Sequence, residues 1–269
     1  MYNQYLEAIK TRLDEVPTEV WDTEPFGNLV LDNFLPENLA KELKESLQAV
    51  FRDNPEMWNA YNNPLENKLV FNRWDKLPKP IYSFFLALGD PAVAQRISEL
   101  TLIDNLVPDA GLHGGGIHMH KRGGKLNVHQ DYSIHPKTDL QRRLNIILYL
   151  NPVWDPAWGG GLGLYTHDEV NDQPADLVKV IDCVWNRAVL FDTAPGSWHG
   201  LPDPIGCPDD VQRTSLAYYY VRTPVVDAPQ RGAVRFAPSE EQRGNADIED
   251  LIKLRSNPET AKMFYKNTN

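Results

Sequence analysis

The sequence predicts an α+β fold with a mainly β core: a sandwich or barrel with helices packed on one side. Two patterns predict it. Apolar residues at helical spacing are confined to the N-terminal part and the C-terminal end of the 269-residue chain. From Gly111 onward, apolar runs of roughly five to eight residues alternate with Gly-, Pro- and Asp-rich turns.

Each element has its own signal. Tyr5, Ile9 and Leu13 fall at i, i+4 and i+8 and predict a first helix over about Met1–Val16. Leu29 to Phe34 alternates as a strand. Pro36 then opens a second helix carrying Leu39, Leu43 and Leu47. Between residues 80 and 100, Gly89-Asp90-Pro91 separates two short helices. The strand-rich part follows: Arg142–Asn151, a turn through Pro152 to Trp158, Gly159–Tyr165, Asn186–Asp192 leading into Ser197–Gly200, and Arg213–Val221. Two short helices, Ala246–Arg255 and Pro258–Tyr265, are expected to close the chain. The expected division is a lead-in over 1–110 packed on the core, the core itself over 111–225, and a helical extension over 226–269, all in one compact domain.

Composition narrows the function. A formal charge of −10 disfavours non-specific binding to nucleic acid or anionic membrane. Cys183 and Cys207 form no CxxC pair and no disulfide framework. Met1–Val16 reads as a polar amphipathic helix rather than a leader, and no apolar run is long enough to span a bilayer. A cytoplasmic protein is therefore expected, with neither nucleic acid nor membrane as a partner.

The chemistry begins at His129-Gln130-Asp131. In a strand, alternate side chains share one face, so the His129 imidazole and the Asp131 carboxylate are able to reach one metal ion. An imidazole from a distant strand, His199, completes two histidines and a carboxylate on one side of the ion and leaves the opposite positions open. Arg213 lies fourteen residues beyond His199, close enough to return on the next strand and grip a carboxylate with its planar fork. A lone His-x-Asp is expected by chance in about every second chain of this length. The order of the surrounding elements therefore carries the weight.

That order is specific: His-x-Asp, an arginine-led strand ending Tyr149-Leu150-Asn151, Trp154, a Gly-Gly strand, Asn186-Arg187 and Phe191, the second histidine, and the late arginine. From about Gly116 to Arg222 the chain resembles the prolyl 4-hydroxylase-like branch of the Fe(II)/2-oxoglutarate dioxygenases. The resemblance implies a double-stranded β-helix (jelly roll) with Fe(II) held by His129, Asp131 and His199. It implies 2-oxoglutarate and O2 as co-substrates, with Arg213 and Tyr149 on the distal carboxylate. Asn145 and Ile147 share the face of Tyr149 by period two and are expected to line the same pocket. The implied reaction hydroxylates an unactivated C–H bond of a prolyl or other amino-acid-like substrate, free or in a peptide, and releases succinate and CO2. Desaturation, cyclisation, and oxidation of a sugar or nucleobase by the same iron chemistry stay open, as does a non-enzymatic jelly-roll binding module. Asp131 disfavours halogenation, for which relatives put a small residue at that position.

The remaining candidates divide into functional and structural readings. His118 and His120 alternate on one strand facing the barrel, where they line the pocket or, with His199, write a second metal set. His135 and His167 lie in turn-rich segments and are expected at the surface. His113 has no assigned role, and its glycine-rich segment reads as a mobile loop near the mouth. Tyr132 points away from the site in a regular strand and toward the mouth if a bulge intervenes. Lys121, Arg122 and Lys125 are expected in a solvated hairpin turn around Gly123-Gly124. Trp154, Trp158, Trp185 and Trp198 form an aromatic rim or fill the core. Thr214 and Ser215 are expected to be ordinary strand residues.

Overall fold

The stripe of Tyr5, Ile9 and Leu13 forms one face of helix α1 (Tyr2–Asp14), and all three side chains are fully buried. No side chain caps this helix at its start, so tertiary packing holds it. The computed structural model describes residues 1–264. Strand β1 (Asn28–Leu31) stops earlier than its alternation predicts, because the chain turns at Asn33, which takes the left-handed backbone that asparagine tolerates. Pro36 leads into α2 (Glu37–Asp53), which buries Leu39, Leu43 and Leu47.

A hairpin of β2 (Asn59–Asn63) and β3 (Glu66–Phe71) comes next and was not legible in the sequence. Its Asn-Ala-Tyr-Asn-Asn arm has no apolar alternation, because it forms the outer edge of a sheet. Helices α3 (Lys79–Leu88) and α4 (Pro91–Thr101) break where expected, and the Asp90 carboxylate caps α4 by accepting from the Ala92 amide at 2.9 Å.

The strands that follow are β4 (Val107–Pro108), β5 (Gly116–His120), β6 (Lys125–Leu126), β7 (His129–Gln130), β8 (Gln141–Tyr149), β9 (Leu162–Asp168), β10 (Gln173–Ile181), β11 (Arg187–Asp192), β12 (Trp198–Gly200), β13 (Arg213–Arg222) and β14 (Arg235–Phe236). Two antiparallel sheets result. The larger runs β1-β11-β8-β13-β5-β3-β2, with β4 beside β13 and β6 beside β3; the smaller runs β10-β9-β12-β7-β14. Together they form the double-stranded β-helix. Strand β10 was not foreseen, since its Leu177, Val178 and Val180 lie exposed on an edge rather than alternating against a core.

Period two divides the larger sheet. On β8, Leu144, Ile146 and Leu148 are buried in the same apolar cluster as the helices, and Leu216, Tyr218 and Tyr220 of β13 join them. Ile147 and Tyr149 belong to a separate cluster with Leu162, Leu164, Val189 and Phe191, between the two sheets. The helices thus cover one face of one sheet and leave the other for the site.

The turn at Lys121–Gly124 is not a hairpin. Both β5 and β6 pair with β3, so the turn is an excursion along one side of the same partner strand. Lys121 and Arg122 are exposed there.

Helices α5 (Ala246–Ser256) and α6 (Pro258–Phe264) close the described chain; Tyr265, expected in the second, lies outside the described residues. Arg255 of α5 forms a buried ion pair with Glu66 of β3, which Lys68 also contacts at 3.0 Å. No helix among the described residues is long and apolar enough to cross a membrane.

Two outcomes follow from this packing. Ile9→Ala removes a fully buried side chain and is expected to cost about 2–5 kcal/mol in denaturant unfolding. Metal affinity in the same protein should stay at the wild-type value. Burial pushes the Glu66 carboxyl up, but Lys68 and Arg255 outweigh it and bring it down from 4.5 to about 2. A depressed carboxyl contributes stability that is full above its unfolded pKa and drains as pH falls toward the folded one. Stability should therefore fall between about pH 4.5 and about pH 2. Glu66→Gln should flatten that part of the curve in acid titrations followed by circular dichroism.

Candidate metal centre

Strands β7 and β12 pair antiparallel with His129 directly opposite His199, which brings the two rings to 4.4 Å between centroids. Asp131 lies one residue beyond the end of β7. One ligand atom from each of His129, Asp131 and His199 lies within 4.8 Å of the others, and this is the only such group of three among the described residues. The alternative set of His118, His120 and His199 does not assemble.

The hydrogen bonds prepare these groups for an ion. His129 Nδ1 lies 2.9 Å from the Asn127 carbonyl, and His199 Nδ1 lies 2.9 Å from the Ser197 carbonyl. A carbonyl only accepts, so each Nδ1 carries the proton and each Nε2 keeps its lone pair. The Nε2 atoms face Asp131, at 3.9 Å from Oδ1 for His129 and 3.5 Å from Oδ2 for His199. Burial holds both imidazoles neutral, bringing His129 down to about 3 and lowering His199 as well.

Asp131 is held ionised. Burial pushes its carboxyl up, but the Arg142 guanidinium, then His199 and His129, hold it well below the usual carboxylate range. Asp131 Oδ2 accepts from Arg142 Nη2 and from Asn145 Nδ2, each at 2.9 Å. The Asn145 carbonyl oxygen in turn accepts from Arg142 Nε and Nη2 at 3.0 and 2.8 Å. Arg142 lies 3.3 Å from the centre of the Tyr219 ring and 4.7 Å from that of Tyr132. Arg231 donates from Nε and Nη2 to the Asp131 backbone carbonyl at 3.0 and 2.7 Å. Oδ2 is thus committed to the protein, and Oδ1 is left for an ion.

A second cluster forms around Arg213, which is almost fully buried at 4% exposure. Its Nε donates to the Gly160 carbonyl at 2.6 Å and its Nη2 to the Tyr149 hydroxyl at 3.4 Å. No carboxylate pairs with it among the described residues. Gly160 has a φ of +77°, and a Cβ there would come within 3.1 Å of both the Arg213 side chain and Trp154. Ile147 packs against the apolar cluster that holds Tyr149 and Phe191, and the Phe191 ring lies 4.8 Å from that of His199. Asn145 shares the strand face but bonds Asp131 and Arg142. Thr214 turns away, donating to the Leu150 carbonyl.

Several expectations are corrected. His135 is buried, not at the surface: it is 3% exposed, with Nδ1 accepting from the Lys137 and Thr138 amides. His167, half-buried, accepts at Nδ1 from the Trp198 indole N–H at 3.0 Å. The loop carrying His113 is tied down, since Asp109 accepts from the Gly111 and His113 amides, while the Tyr132 and Tyr219 hydroxyls donate to the His113 and Gly114 carbonyls. Tyr132 itself is buried. The four tryptophans divide: Trp198 is fully buried, Trp185 bonds Glu37 of α2, and the half-buried Trp154 packs edge-on against Trp158.

Arg142 and Arg231 were missed. Period two places Arg142 on the helix side of β8, but the register with β13 skips a residue there: Tyr220 pairs with Leu144 and Val221 with Arg142. This bulge brings Arg142 round to the side of Asn145. The Arg142-Arg143 pair opening an apolar strand was the available signal. Nothing in the sequence marks Arg231.

Two neutral imidazoles and one carboxylate on one side suit a divalent first-row metal such as Fe(II). The Arg213 cluster suits the free carboxylate of a keto diacid such as 2-oxoglutarate. His199→Ala should abolish binding of Mn(II), used as a redox-silent stand-in, in calorimetric titration. Arg142→Leu should leave Asp131 without its cation, weakening metal about 10–100-fold and lowering stability by about 3–5 kcal/mol.

Comparison with known proteins agrees with this geometry. Residues 115–221 match the 2OG-Fe(II) oxygenase superfamily. The chain is 37% identical over 79 residues to prolyl 3-hydroxylase OGFOD1 of Mus musculus, a stretch covering 29% of this chain and 14% of that protein. It therefore spans a small part of the length of the curated relative it matches. A prolyl-4-hydroxylase from Pseudomonas putida superposes with a TM-score of 0.51 at 19% identity, over 83% of this chain and all of that one. The α-ketoglutarate-dependent carbocyclase SnoK from nogalamycin biosynthesis gives 0.56 at 12% identity, over 89% and 92% of the two chains. At these identities the structural likeness is one of fold.

Proposed function

We propose that this chain, which carries a 2OG-Fe(II) oxygenase core of the prolyl 4-hydroxylase-like type, is an Fe(II)- and 2-oxoglutarate-dependent dioxygenase that hydroxylates a prolyl or other amino-acid-like residue. The observation that carries the proposal is the pairing of two buried sets. One is His129, Asp131 and His199 with their ligand atoms converging, and the other is Arg213 with Tyr149 and no carboxylate partner among the described residues. The local identity to a prolyl 3-hydroxylase supports a prolyl substrate, free or in a peptide. The two buried free thiols fit a reducing compartment, and we place the protein in the cytoplasm.

When bound, iron with 2-oxoglutarate and O2 supplies the oxidising power for an unactivated C–H bond, with release of succinate and CO2. The protein's part is positioning and exclusion of water. His129 and His199 present neutral Nε2 atoms, and Asp131 presents Oδ1 while Arg142 and Asn145 hold Oδ2. Arg213 fixes the far carboxylate, and its own direction is set by the Gly160 carbonyl. Leu164, Val189 and Phe191 pack with Tyr149 in one buried apolar cluster, and the Phe191 ring lies against His199.

The test is turnover with Fe(II), 2-oxoglutarate and a panel of prolyl peptides and free amino acids, read by mass spectrometry. A mass gain of one oxygen, matched by succinate, is expected, and succinate with no oxidised amino acid or peptide would overturn the substrate class. For the co-substrate, truncating one member of a buried charge pair costs roughly 2–5 kcal/mol, about 30- to several-thousand-fold in binding. Arg213→Ala should therefore weaken 2-oxoglutarate by that factor with metal affinity unchanged, and Arg213→Lys should recover only part of the loss. Equal affinity in all three proteins, measured by calorimetry, would remove the co-substrate assignment.

A further inference from the structure

His120 is 2% exposed on β5 and pairs in register with Arg213 on β13. Its Nδ1 lies 3.5 Å from Arg213 Nη1. A guanidinium nitrogen only donates, so Nδ1 accepts, and in a neutral ring the proton then sits on Nε2. Burial, then Arg213 and Lys68, hold the ring neutral, well below its ordinary value. The Nε2–H that results is buried without a hydrogen-bond partner among the described residues. The other strand-borne histidines near the site differ: His118 Nε2 faces the Gly114 carbonyl at 3.2 Å, and His129 and His199 give their protons to carbonyls. A buried donor left unmatched in the protein destabilises it unless something else accepts the proton.

We propose that His120 is a third donor to the distal carboxylate of 2-oxoglutarate, beside Arg213 and Tyr149, and that it sets how tightly this chain holds the co-substrate. Here the assignment rests on the dioxygenase function proposed above. Register places the three groups together. His120 sits opposite Arg213 on one side of β13, and Tyr149 sits opposite Ser215 on the other. The guanidinium therefore lies between an imidazole and a phenol. Tyr149 accepts from Arg213 and keeps its own proton to give. A neutral N–H beside a guanidinium adds a hydrogen bond to an anion without setting a second full positive charge against the first. That is the advantage of histidine over lysine at this position.

The test is a calorimetric titration of the full-length, Mn(II)-loaded protein with 2-oxoglutarate, run in parallel with thermal unfolding of the metal-free protein. His120→Leu is expected to weaken 2-oxoglutarate about 10- to 100-fold with Mn(II) affinity unchanged. Its metal-free midpoint should stay near that of wild type, because the change removes an unmatched buried donor while taking one long acceptor contact from Arg213. His120→Gln, whose amide N–H reaches a similar place, should recover part of the affinity. 2-Oxobutyrate, which lacks the distal carboxylate, should bind wild type and His120→Leu alike. Equal 2-oxoglutarate affinity in wild type and His120→Leu overturns the assignment. So does an equal loss for both keto acids with a lowered midpoint, which would make His120 a structural residue. Failure of the wild type to bind 2-oxoglutarate at all overturns the dioxygenase function itself. If His120→Leu does not fold, His120→Asn gives the same comparison between the two keto acids, with the same overturning outcomes.

Discussion

Asp131 holds a negative charge where little water reaches it, with its side chain 14% exposed, and the site is arranged around that charge. Moving a carboxylate out of water costs several kcal/mol, and only close, well-directed partners offset it. Arg142 supplies the opposite charge, and Asn145 bonds both members and fixes the angle between them. Arg142 must be satisfied in turn, and the rings of Tyr219 and Tyr132 flank it. Those tyrosines donate to the carbonyls of His113 and Gly114, so the loop before β5 is tied to the ligand carboxylate through one guanidinium. The committed Oδ2 leaves Oδ1 and two imidazole lone pairs as the unsatisfied donors of the centre.

The larger sheet makes this arrangement possible. Its outer face is apolar and covered by α1 to α4, which anchors the strands and fixes their register. Its inner face carries Asn145, Ile147 and Tyr149 from one strand, Arg213 from the next and His120 from the one after. The smaller sheet brings His129 and His199 against that face. A slip of one residue in β8 would exchange the apolar and polar sets, so the helix layer, remote from the ion, protects the site's geometry. The bulge at Arg143 is the one local departure, and it carries Arg142 to the inside.

How much of this was legible depended on regularity. Period two and element order place His129, Asp131, His199 and Arg213 together, the family resemblance adds Tyr149, and the structure gathers the first three in one cluster and the last two in another. The helices of the first hundred residues followed from the spacing of apolar residues, from Pro36 at a helix start and from the Gly89-Asp90-Pro91 break. The β2 arm of the first hairpin and β10 were invisible because edge strands need no apolar alternation. Arg142 was hidden by a bulge that reverses parity. His135 looked like a surface residue because its segment is rich in turns, yet it accepts two backbone amides from its own turn and is buried by the fold around it. Arg231 reaches Asp131 from 100 residues away, a contact that only the closed fold creates.

The proposed function is spatial at its root: the triad is arranged to take one ion while the Arg213 cluster takes the far end of one keto diacid. A crystal structure of the protein with Mn(II) and 2-oxoglutarate, with the ion located by its anomalous scattering, tests it most directly. The ion is expected at coordination distance from His129 Nε2, His199 Nε2 and Asp131 Oδ1. The keto acid end should lie on the open side of the ion and the far carboxylate against Arg213 and Tyr149. An ion bound by other residues, or a diacid whose far carboxylate leaves Arg213 untouched, would contradict it.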